Sequence, residues 1–274
     1  MRRPDAPTRG TSAPSTTGGP VTTPDYSPAP GAAPAGRRVW SHALTETKLM
    51  VRNGEQLLLA LVIPIAFLVG GKWFGPAMGL GFRELAPSVF ALAVWSTCFT
   101  SLAINIGFER RYGVLERLSP TPLGRSGLLL GKALSLVLVT IGQLAVLAVV
   151  ALALGWRPVG GVAPTLVAAV TTVLGGLAFA ALGMLLGGTL RAEVTLGLAN
   201  LIYLVLLMGG AVMLPLARYP QVVRPVIALL PTAAVGESLR AWSDGTVLWQ
   251  PLIVGLIWSV LGALAARKAF RWTS

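Results

Sequence analysis

Phe108-Glu-Arg-Arg-Tyr-Gly-Val-Leu-Glu-Arg-Leu-Ser-Pro-Thr-Pro122 is a dense cluster of charge set between two long apolar runs. Glu109, Glu116, Arg110, Arg111 and Arg117 crowd together, and Pro120 and Pro122 then stop any helix. Phe108, Tyr112 and Leu115 recur at i, i+4 and i+7, which predicts a short amphipathic helix with one apolar face. Held between two membrane spans, such a helix suits docking to a soluble partner or to the bilayer surface. The same pattern also fits an ordinary basic cytoplasmic loop.

Composition sets the environment of that stretch. The chain has 274 residues, 54% of them hydrophobic and only 12% charged. Soluble domains are about a quarter charged, so composition marks a polytopic membrane protein, and the apolar runs below make the expected fold all-α. The net charge is +12, from 22 Lys and Arg against 10 Asp and Glu. In a soluble protein that excess would point to nucleic acid; here it fits basic cytoplasmic loops, and no nucleic-acid partner is expected. A single cysteine, Cys98, excludes an intrachain disulfide and any cysteine-based metal cluster.

Residues 1–37 are rich in Pro, Ala, Thr, Ser and Gly and read as a disordered cytoplasmic tail. Arg2-Arg3 is followed by no apolar stretch, so it is not read as an export signal. Residues 38–56 predict an interfacial helix with a stripe of Trp40, Ala43, Leu44, Thr47 and Val51 against Ser41, Thr45, Glu46, Lys48 and Arg52. The sole histidine, His42, lies there and is read as an interfacial polar residue.

The remainder, 57–274, reads as a six-span transmembrane domain, with apolar runs near 57–78, 86–107, 127–154, 163–188, 195–215 and 247–266. Each approaches the ~20 residues needed to cross ~30 Å of hydrocarbon. Pro64 should kink the first, and a neighbouring helix must then satisfy the carbonyl it frees. Lys132, near the start of the third, is expected to snorkel to the interface.

With the N-terminus inside, 16 basic residues fall in the cytoplasm and six outside: Lys72, Arg83, Arg157, Arg218, Arg224 and Arg240. Both termini are therefore expected in the cytoplasm, with the chain in the cell membrane. Between the fifth and sixth runs, Pro220, Pro225 and Pro231 punctuate segments too short to cross. A re-entrant or interfacial helical hairpin on the outer face is expected there. Gly127-x-x-x-Gly131 and Gly183-x-x-x-Gly187 have the spacing that lets helices approach closely, although glycine is also common in membrane helices generally.

Three patterns point to chemistry and fail. Gly131-Lys132 looks like the end of a phosphate loop, but Ser126 stands where glycine is required and Ala133 replaces Ser or Thr. Gly124-Arg125-Ser126-Gly127 looks like a serine nucleophile motif, yet His42 lies before the first span. Glu237 and Asp244 flank Arg240 and read as part of a local ion pair rather than a catalytic dyad. The spans carry no clear acid, which disfavours ion-driven transport. They do carry Thr97, Ser101 and Asn105 at every fourth residue, with Gln143, Asn200 and Tyr203 elsewhere. That polar set lines a substrate route or, alternatively, makes interhelical hydrogen bonds.

Glu109 to Leu118, closed by Thr121-Pro122 and Gly131-Lys132, resembles the cytoplasmic loop of ATP-binding-cassette exporter permeases of the type-2 family, daunorubicin-exporter-like drug permeases among them. Leu230-Pro231-Thr232 with Glu237-Ser238-Leu239-Arg240 is similar to that family's segment before the last span. The resemblance covers roughly 40–270 and implies a non-enzymatic transport subunit without a cofactor of its own. It implies a separate ATPase subunit that holds ATP and Mg, a second permease subunit (a homodimer), and a small amphipathic drug or antibiotic as cargo. It makes 109–118 the coupling helix. Glu109, Arg110, Arg111, Glu116 and Arg117 would then make polar contacts to the motor, Tyr112, Leu115 and Leu118 the apolar docking face, and Gly113 a close approach or bend. Pro231, Glu237 and Arg240 mark the outer segment. Polysaccharide or lipid-linked polymer export, a non-transporting scaffold, and an uncoupled channel or carrier are the alternatives.

Overall fold

The computed structural model describes residues 33–118 and 120–270, with the side chains of 55–59 and Met78 left out. The expected tail lies outside the described residues up to position 32. Helix α1 (Ala35–Arg52) takes in its last three residues, 35–37. There follow α2 (Gly54–Phe74), α3 (Phe82–Trp95), α4 (Leu102–Arg111), α5 (Val114–Leu118), α6 (Gly124–Ala153), α7 (Val162–Thr189) and α8 (Ala192–Gly209). The short α9 (Arg224–Ile227), α10 (Pro231–Ser243) and α11 (Gln250–Ala269) complete the chain. No strand occurs among the described residues. In hydrocarbon a helix satisfies its backbone within its own segment, which is why apolar runs of this length take that form.

Each of the six expected spans is a helix. Five are long and apolar enough to cross a bilayer, with α3 and α4 forming one rod from Phe82 to Arg111. The sixth, α2, has an apolar stretch from Ala60 to Phe74. At 30 residues, α6 is about 45 Å long and overshoots the hydrocarbon layer. The fifth run ends at Gly209, earlier than expected, because the chain turns through Ala211 at φ 52.

Two prolines inside helices have their freed carbonyls matched by side chains. Pro64 has no N–H for the carbonyl of Ala60, and Gln143 Nε2 of α6 donates to that oxygen at 2.6 Å. Pro87 likewise leaves the carbonyl of Arg83, which accepts from Ser243 Oγ at 2.9 Å.

The core centres on the α3–α4 rod. Trp95 stacks on Phe99 at 4.3 Å and meets Phe179 of α7 edge-on at 4.7 Å. Gly183 and Gly187 lie against this rod. A methyl on Gly187 would come within 2.4 Å of the Ala103 carbonyl, and one on Gly183 within 2.8 Å of that of Phe99. The Gly-x-x-x-Gly spacing in α7 is therefore a contact surface.

The segment expected on the outer face is more deeply seated than an exposed hairpin. Its first arm is only α9, while α10 packs against α3, α7 and α11 with Ala233, Ala234 and Val235 buried. Arg240, expected outside, is 4% exposed. It donates to Ser88 Oγ, to the carbonyls of Ala211 and Val212, and to Glu237, 2.8 Å away. A guanidinium whose two terminal nitrogens are met this way can be enclosed without leaving its charge bare.

Candidate functional site

The quoted stretch is two helices rather than one. The α3–α4 rod ends at Arg111, Tyr112 and Gly113 form a turn with Gly113 at φ 67, and α5 begins at Val114. That left-handed conformation, which glycine adopts at no steric cost, breaks the predicted single helix. The break changes which residues share a face. Leu115 is 2% exposed and packs with Leu102, Ile106, Leu136 and Ala180. Tyr112 is 64% exposed and stacks on Phe108 at 6.2 Å. The expected apolar docking face of Tyr112, Leu115 and Leu118 is thus divided, with Leu115 an inward anchor and Leu118 half-buried. Arg111, Tyr112, Val114, Glu116 and Arg117 form the outward side. After residue 119, Thr121 Oγ1 donates to the carbonyl of Leu118 at 2.6 Å and fastens the return into α6.

Glu109 and Arg110 point into the molecule. Arg110 is 6% exposed and its Nη1 donates to the carbonyls of Gly187 at 2.9 Å and Leu190 at 3.0 Å, at the end of α7. Those carbonyls lack intrahelical partners, and a cation belongs at that end of the helix dipole. Arg111 pairs with Glu193 in the first turn of α8.

Glu109 meets Lys132 Nζ at 2.6 Å, and Glu46 of α1 meets the same ammonium at 3.2 Å. Lys132 is 5% exposed, so it does not snorkel outward. Two carboxylates from different helices hold it, because an enclosed ammonium needs countercharge. The predicted stripe of α1 is divided by this contact, with Ala43 and Thr47 on the packed side. His42, Ala43, Glu46, Thr47 and Met50 turn inward, while Trp40, Leu44 and Val51 of the predicted stripe stay exposed. The contact is close because residue 131 is glycine, where a methyl would come within 2.4 Å of His42 Cδ2. Burial and the Lys132 charge lower the His42 pKa against the opposing pull of Glu46, whose carboxylate lies 3.7 Å from the ring. A cavity of about 250 Å³ lies beside the three charges, lined also by Asn53, Asn105 and Ser135.

The polar set in the spans divides. Thr97 Oγ1 donates to Gln143 Oε1 at 2.8 Å, so both residues, with Ala60, tie α2, the rod and α6 together. A π-helical turn at Ser96–Ser101 gives the rod an extra residue per turn. The every-fourth-residue stripe is broken there: Thr97 faces Gln143, whereas Asn105 lines the charged cavity and Ser101 is half-buried. Asn200 is exposed on α8 and Tyr203 half-buried. No group of three or more His, Cys, Asp or Glu side chains able to hold a metal converges among the described residues. Glu46 and Lys132 as partners could not have been found from spacing, since 86 positions separate them.

A family model described as ABC-2 family transporter protein matches residues 57–267. The chain belongs to this family. It is 25% identical over 240 residues to a Mycobacterium tuberculosis protein assigned as a probable doxorubicin resistance ABC transporter permease protein, DrrC; the match spans 84% of this chain and 87% of that one. It is 24% identical over 243 residues to YvfS of Bacillus subtilis, assigned provisionally as a transport permease, with 82% and 94% covered. The chain is thus a multi-pass ABC-2 transport permease, as the motif resemblance implied, and family membership implies an ATP-binding-cassette ATPase partner.

Proposed function

We propose that this ABC-2 permease exports a small amphipathic molecule, such as a drug or antibiotic, and that a separate ATPase subunit holding ATP and Mg drives it from the Tyr112–Leu118 bend. The observation that carries the reading is the construction of that bend. Its outer side offers Arg111, Tyr112, Glu116 and Arg117, while Leu115 and the Lys132 ion pairs fix its inner side to α1, α4 and α6. A force applied to the exposed residues is thereby delivered to three helices at once. The basic-residue balance supports a cytoplasmic bend and cytoplasmic termini.

The cargo reading draws support from the relative named for doxorubicin resistance and from an apolar cavity of about 440 Å³. Val94, Cys98, Thr140, Gly176, Leu239 and Trp242 are among its lining residues, and it lies between α3, α6, α7 and α10. Its size is in the range of small-molecule sites, and its few hydroxyls suit a largely apolar guest. A second copy of the chain completes the proposed exporter; Asn200, an exposed amide on apolar α8, would there find the hydrogen-bond partner that lipid tails lack.

Glu116→Arg tests the docking. The variant should insert in the membrane at the wild-type level and lose co-purification of the ATPase. Unchanged co-purification would overturn the assignment of this bend to the motor.

A further inference from the structure

An open cavity of about 480 Å³ lies where α4 and α7 end and α8 begins. Gly107, Arg110, Arg111, Thr189, Arg191 and Glu193 line it with Leu190 and Ala192. Three guanidinium groups against one carboxylate give its walls a net positive charge. The first turn of α8 adds to this, for Arg191 at its N-cap provides no side-chain cap and the opening N–H groups lack intrahelical partners. Arg110, 6% exposed, is fixed by the Gly187 and Leu190 carbonyls, so one wall carries a charge that cannot swing away. Glu193, itself exposed, is paired with Arg111.

We infer that this cavity binds the phosphate headgroup of an anionic phospholipid. The cavity sits where the Phe82–Arg111 and Val162–Thr189 spans end and Ala192–Gly209 begins, and the ends of apolar spans are where headgroups lie. Its neighbours toward the bilayer are apolar and exposed: Val194 is 51% and Leu196 40% exposed, and acyl chains below a seated headgroup would lie against them. Basic pockets between membrane helices on the cytoplasmic side select anionic headgroups in this way. Gly107 lies against α8, where a methyl would meet Ala192 and Thr195 at ordinary contact, 3.4 Å. The leaflet rests on the cytoplasmic placement proposed above; the chemistry of the cavity does not.

The test uses the purified full chain in detergent, without the ATPase, and native mass spectrometry with chain-matched phosphatidylglycerol and phosphatidylcholine. The wild-type protein should retain phosphatidylglycerol preferentially. Arg191→Gln should lower that retention about five-fold, the share of one basic residue near an anionic surface. Glu193→Gln should raise it, whereas a merely structural role for the loop would make both variants weaker or leave both unchanged. Added inorganic phosphate at millimolar concentration should compete only weakly if the lipid is the ligand. Full displacement by phosphate would identify a free-phosphate site and overturn the lipid assignment. Equal retention of the two lipids would overturn the site. So would unaltered lipid retention in Arg191→Gln combined with lost ATPase co-purification, which would make the cavity a motor contact. A labelling result that put the bend outside the cell would change the leaflet alone and leave these outcomes readable.

Discussion

Arg240 at one end of the bundle and Lys132 at the other are both enclosed, and the two are held by different chemistry. At the α10 end Arg240 spreads its planar fork over Ser88, two backbone carbonyls and Glu237. At the bend Lys132 is a compact charge divided between Glu109 of α4 and Glu46 of α1, beside a polar cavity. A guanidinium bound to fixed carbonyls specifies a single geometry, while an ammonium between two side-chain carboxylates can redistribute its contacts as the helices shift. Arg240 is therefore built as an anchor and Lys132 as a joint.

The largest expected effect attacks the anchor. Arg240→Ala leaves Glu237 and the two carbonyls without their donor and should cost about 3–5 kcal/mol, read as a lowered unfolding temperature in detergent. Lysine at 240 should rescue only a fraction, because it cannot reproduce the fork. Rescue to the wild-type level would erase the distinction between the two ends.

Lys132→Met should cost less, about 2–3 kcal/mol, since the adjoining cavity gives the two carboxylates access to water. Its signature should be local, with faster proteolysis within α1 while α10 stays protected. The cycle with Glu46→Gln should reveal a coupling of about 1–2 kcal/mol, and additive costs would show that the pair is not an energetic contact.

Between the ends, Gln143→Leu removes the donor to the carbonyl that Pro64 frees, at about 1–2 kcal/mol. Pro64→Ala restores a backbone N–H for that carbonyl and should recover much of the loss in the double variant, by the same unfolding assay.

The smallest effect concerns pH. The native fold lowers the His42 pKa, so the folded chain prefers the neutral ring more than the unfolded chain does. The associated stability is present above the unfolded value of about 6.5 and is lost as pH falls through the lowered one. The protease resistance of α1 should decline on acidification through that window, and His42→Phe should flatten the dependence. A steeper decline in His42→Phe would remove His42 as its source.

The spans were legible because apolar length is a property of continuous sequence: all six expected runs are helices, and the need of Pro64 for a neighbour's donor could be stated in advance. The donor could not be named, since Gln143 lies 83 positions from Ala60 and meets it only through packing. The bend was visible as a cluster of charge, but its inward and outward sides were not. Helical periodicity cannot anticipate a left-handed glycine at 113, and that one residue separates Leu115 from Tyr112. Nor could charge alone mark Glu46 as enclosed, because on α1 it stands among residues that read as a solvated face. The polar stripe failed for a related reason, as a π turn changes the repeat on which it depends.

The surplus length of α6 has a mechanical consequence. Lys132 lies eight residues along that helix, about 12 Å from its first residue, which puts it close to the boundary between oil and water. A helix longer than its bilayer must tilt or thicken the lipid around it, at a modest cost for every ångström of mismatch. Lipid tail length thus sets how deeply the ammonium sits, and with it the polarity of the surroundings in which the two acids grip it.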